Sequence, residues 1–125
     1  MSALQQASAA YRMQTRTVGT TRSIEYDVLA RITGRLQQAA QSGPGVTGAL
    51  AAALHDNRRL WTIFATEVAD RNNPLPRDLR ARLLYLAEFT QQHSSKVLRH
   101  GATLDPLIDV NTSVMRGLSG QAGTP

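Results

Sequence analysis

The chain has 125 residues, which fits one domain built on one hydrophobic core. It has no cysteine, so disulfides and thiolate chemistry are excluded. Its formal net charge of +5 comes from fourteen basic residues, all arginine except Lys96, set among nine acids rather than gathered in one run. Scattered positive charge is weak support for a nucleic-acid face.

Alanine and leucine dominate the apolar residues and β-branched residues are few, which favours an all-α class. Aromatic residues are scarce, so the core must be largely aliphatic. The spacing predicts five helical segments. The first covers about Ser2 to Gln14, where Leu4, Ala7 and Tyr11 recur at helical intervals. Its stripe is thin and rich in Ala and Gln, so it is expected to be helical only when docked. Thr15 to Thr21, with Gly19, reads as a loop. The second segment starts at Ser23 as N-cap, places Glu25 in its first turn, and keeps Ile24, Val28, Ile32 and Leu36 on one face to about Gln41. Ser42-Gly43-Pro44-Gly45 stops it.

The third segment begins after Thr47, a second N-cap, and runs to about Asp70. Leu50, Leu54, Asn57, Trp61, Phe64 and Val68 form its stripe at spacings of three and four. Asn72-Asn73-Pro74-Leu75-Pro76 breaks the chain, because each proline forces its predecessor into extended geometry. The fourth covers about Arg77 to Arg99, with Leu79, Leu83, Leu86, Thr90, His93 and Val97 on one face. The fifth has Asp105 as N-cap and Pro106 at the first helical position, and its apolar face continues to Leu118. One helical domain over residues 2–118 and a flexible tail over 119–125 are therefore expected. The short connections favour antiparallel neighbours, hence a small up-down helical bundle of about five helices.

No catalytic, metal or cofactor site is expected. The three histidines, His55, His93 and His100, include no pair at i and i+4, and no zinc spacing occurs. No Gly-x-Ser-x-Gly elbow is present. His55 and Asp56 are adjacent, but neighbours on a helix point about 100° apart and do not orient one another. The glycine-rich stretch from Ser42 to Gly48 lacks the lysine of a phosphate-binding loop. No segment reaches the roughly 20 apolar residues of a membrane span, and Met1 to Gln6 lacks a basic segment followed by an apolar run. The expected compartment is the cytoplasm and the expected role is binding another protein.

Two features resist a bland account. Asn57 and Asn111 lie within apolar stripes, where an unsatisfied amide costs about 1–3 kcal/mol. They are read as latches that fix neighbouring helices; a contact to a partner's backbone is the alternative. The second feature is the cluster from Asn57 to Phe64, with the only tryptophan beside two arginines, a combination enriched at interface hot spots. Trp61, Phe64 and Leu83 are assigned to the core. Arg58, Arg59 and Leu60 are expected on a partner-binding surface, with Leu4 and Tyr11 of the first segment as contributors.

The string Leu54-His55-Asp56-Asn57-Arg58-Arg59-Leu60-Trp61-Thr62-Ile63-Phe64, followed by Asn73-Pro74-Leu75-Pro76 and Leu79-Arg80, resembles the FlaF family of flagellar biosynthesis regulators. Leu107-Ile108-Asp109-Val110-Asn111 is similar to that family's closing helix. The glycine-rich loop from Gln41 to Thr47 and Arg22 depart from the family pattern. The resemblance implies a cytoplasmic factor that binds flagellin, through its terminal helices, as a secretion chaperone, and that promotes flagellin synthesis and export. It also implies the regulator FlbT as a further partner. The net charge and the family's link to translation leave an alternative: an RNA-binding post-transcriptional activator of flagellin translation.

Overall fold

The structure is a computed structural model. It describes the backbone of residues 18–43 and 45–123 and the side chains of residues 26–43 and 45–117. Those residues form four α-helices and no strand: α1 (Val18–Gln41), α2 (Gly48–Ala69), α3 (Arg77–His100) and α4 (Asp105–Gly123). The all-α expectation is met, with four helices where about five were expected. The first predicted segment, with Leu4 and Tyr11, lies outside the described residues.

The element ends follow from local chemistry. Thr47 is extended and its hydroxyl oxygen accepts from the Leu50 N–H at 3.1 Å, satisfying one donor of the first turn of α2. The other end of α2 is closed by the loop before α3. The Asn73 side-chain amide donates to the Glu67 carbonyl (2.9 Å), while its oxygen accepts from the Leu75 N–H (2.9 Å). One asparagine thus satisfies a helix carbonyl and holds the proline-flanked turn. Helix α3 ends at Gly101, whose φ of +65° is left-handed and favours glycine.

Three boundaries differ from expectation. Helix α1 is already formed at Val18, so Ser23 lies inside it rather than capping it. The poor helix formers from Gly19 to Thr21 are carried by a helix that is already nucleated, because propagation is far easier than nucleation. Helix α4 continues to Gly123 through most of the stretch expected as a tail. At its start, the Leu107 and Ile108 N–H groups donate to the Leu104 carbonyl (3.0 and 3.1 Å), so Leu104 precedes the helix and Asp105 sits in its first turn.

Packing is cyclic. Helix α1 packs on α2, α2 on α3, α3 more lightly on α4, and α4 strongly back on α1; the pairs α1–α3 and α2–α4 make no close backbone approach. That is the neighbour pattern of a four-helix up-down bundle, with the last two pairs as its diagonals. The core is the inner stripe of each element. Leu29, Ile32 and Leu36 come from α1, Leu50, Ala53, Leu54 and Leu60 from α2, Val97 from α3, and Leu104 with Leu107 from the entry to α4. Val28, Phe64, Ile108, Val114 and Met115 pack around this cluster. Helix α3 buries mainly small side chains, Ala87, Thr90, Ser94 and Val97. Leu83, expected in the core, is only half-buried and lies outside the cluster, because α3 leans on the bundle through the small residues after it.

Candidate partner-binding surface

Three polar side chains meet inside the bundle. The Trp61 indole N–H donates to Asn111 Oδ1 at 2.9 Å, and Asn111 Nδ2 donates to Asn57 Oδ1 at 2.8 Å. All three residues are 0% exposed. The direction of this chain is forced. An indole N–H can only donate, so Asn111 must turn its oxygen to Trp61 and its amide to Asn57, which must answer with oxygen. The outcome leaves Asn57 Nδ2 without a hydrogen-bond partner. The latch joins α2 to α4, the diagonal pair whose backbones do not approach. Phe64 completes this region: its ring meets that of Trp61 edge to face, with centroids 5.4 Å apart.

Arg58 closes the seam between α2 and α3. Its Nη2 donates to the Gln91 carbonyl (2.7 Å) and to the Ser95 hydroxyl. Gln91 replies through Nε2, which donates to the Arg58 carbonyl (3.0 Å) and the Thr62 hydroxyl (3.2 Å). Arg58, expected on a partner-binding surface, is half-buried and has its guanidinium engaged within the bundle. The expectation that Leu60 lies on the surface is corrected: it is 4% exposed within the core cluster, and the α2 stripe is wide enough to take it inside. Arg59 is half-buried. Leu4 and Tyr11 lie outside the described residues.

The other polar candidates are likewise engaged in the fold. Asp56 takes a 2.7 Å ion pair from Arg35 on α1, both side chains being 37% exposed, so solvent screening holds its worth to at most about 1 kcal/mol. The His93 ring stacks on Phe89, with centroids 5.5 Å apart, and its Nε2 donates to the Thr103 carbonyl at 2.8 Å. A carbonyl only accepts, so Nε2 carries a proton. Among the described residues, no group of three or more His, Asp or Glu could hold a metal, and no helix is long and apolar enough to cross a membrane.

Among the described residues the large apolar side chains open to solvent are Tyr26, Val46, Leu84, Tyr85 and Leu98, and two of them are adjacent on one helix. Leu84 (39% exposed) and Tyr85 (69%) project from the first half of α3. Sequence reasoning missed them as surface residues, although a signal was there. Leu83-Leu84-Tyr85-Leu86 is apolar on every side of one helical turn, and a helix resting on a single flank cannot bury all of it.

Compared with known proteins, the chain matches the family model described as flagellar protein FlaF over residues 7–118. No curated protein and no solved structure matches it.

Proposed function

The chain belongs to the FlaF family of flagellar proteins, and from that membership we propose that it is a non-enzymatic factor that binds flagellin in the cytoplasm as a secretion chaperone. Binding would promote flagellin synthesis and export for flagellum assembly, with FlbT as a second partner. The observation that carries this reading is the family match, whose span of residues 7–118 includes both the Asn57–Phe64 string and the Asn73–Pro76 turn.

A flagellin end is an amphipathic helix that self-associates if left exposed, and a helical bundle with an open apolar face suits such a segment. Ordering a flexible client on binding consumes several kcal/mol of the gross interaction, which keeps the complex releasable. Asn57, Arg58 and Asn111 support a binding role over a catalytic one, because these buried and half-buried polar side chains are engaged in joining helix to helix.

The test is isothermal calorimetry of the full chain against purified monomeric flagellin. A saturable complex of fixed stoichiometry is expected; absence of heat and of co-sedimentation would rule the reading out.

A further inference from the structure

We propose that the outer face of the first half of α3, centred on Leu84 and Tyr85, docks an amphipathic helix whose apolar stripe is flanked by carboxylates. This rests on the flagellin-binding reading and deepens it: the docked helix is a segment of the client, and α3 offers a surface where Arg58 and Leu60 are engaged within the bundle.

Ala81, Leu84 and Tyr85 share the outward side of α3 at spacings of three and four, and all three are exposed. Leu83 and Leu86, on the side toward the bundle, are half-buried. The turn is therefore apolar all round but covered on one flank, and the uncovered flank presents a tyrosine, a residue enriched at binding hot spots.

The charge beside it selects the partner. Arg71, Arg77 and Arg82 are exposed around this end of α3 and form no ion pair with any described residue. Arg77 is the first residue of the helix, where the helix dipole disfavours a cation. Arg80 donates to the Asp70 carbonyl at 3.4 Å, so it too is turned to the chain's own backbone rather than to a carboxylate. The acids of the same region are Asp70, Asp78 and Glu88. Asp70 is occupied in its own turn, its Oδ1 accepting from the Asn72 N–H. An apolar strip whose rim carries guanidinium groups with no ion-pair partner among the described residues complements an amphipathic helix with acidic flanks, which would supply carboxylates to them.

Calorimetry with flagellin distinguishes the outcomes. Leu84→Ser/Tyr85→Ser should weaken binding by roughly tenfold or more while leaving the melting temperature near that of the wild type, since both side chains are already exposed. Arg77→Glu/Arg82→Glu should weaken it as well, through charge alone. Val46→Ser, at an exposed apolar residue in the α1–α2 connection, should change nothing. Wild-type affinity in both double variants overturns the proposal while leaving the flagellin reading intact. A free wild-type chain that sediments as a dimer, dissociated by Leu84→Ser/Tyr85→Ser, also overturns it, because a second copy then covers the face. Failure of the wild type itself to bind flagellin is a different result: it removes the functional reading and this surface with it.

Discussion

Asn111 stands between two groups that each depend on it, the Trp61 indole N–H and Asn57 Oδ1. Removing either asparagine leaves a small cavity, but the hydrogen-bond consequences differ. Asn111→Ala orphans two buried groups. Asn57→Ala orphans only Asn111 Nδ2, and it deletes an Nδ2 that already lacks a partner. Asn111→Ala should therefore be the more destabilising, by about 1–3 kcal/mol, in urea unfolding monitored by circular dichroism. Equal losses would argue against the directional chain. The double variant should lose less than the sum of the two, as groups in one network do.

The elements make two further predictions. Gly101 ends α3 in a left-handed conformation with open space around its Cα, so Gly101→Ala should cost about 1–2 kcal/mol through backbone strain alone, with no steric clash. Asn73→Ala removes one of two donors to the Glu67 carbonyl, which keeps the Asp70 N–H at 3.3 Å, and frees the Leu75 N–H at a half-exposed loop, where water replaces part of what is lost. A loss of about 1 kcal/mol is expected, with faster amide exchange in the last turn of α2. At this scale much was legible in advance. Thr47 was readable as a cap and Asn73-Pro74-Leu75-Pro76 as a break, because capping and proline chemistry act within a few residues of chain. The start of α1 was not, since Gly19 and the adjacent threonines argue locally for a loop and the rest of a long helix outweighs them.

For the whole molecule, Arg58 is a test of where the partner sits. Arg58→Ala should destabilise the bundle by opening the α2–α3 seam, yet leave flagellin affinity unchanged at a temperature where the variant is fully folded. Salt then separates the two functional readings. Raising salt from about 0.05 to 0.2 M should lower flagellin affinity only modestly, whereas an RNA complex with six or more phosphate contacts would lose roughly 10³–10⁵ in affinity. A loss on that scale in filter binding to flagellin message would favour direct action on translation.

The amino-acid sequence by itself determined the helical class, most of the helix boundaries and the centre of the inward stripe of α1, α2 and α4, because those follow from residue propensity, capping and a period of 3.6 along the chain. It also carried the family signature. Only the tertiary structure decided which polar residues answer one another. Asn57 and Asn111 are 54 residues apart, and both lie on apolar stripes, but nothing local says that the two stripes meet across the diagonal of a bundle. The same holds for Arg58 and Leu60. A helix sequence shows that a stripe exists; how wide a stripe is covered depends on how many helices surround it. For α2, between two neighbours, Leu60 is inside and Arg58 is spent on the seam. For the first half of α3, resting on one flank, Leu84 and Tyr85 are left in solvent.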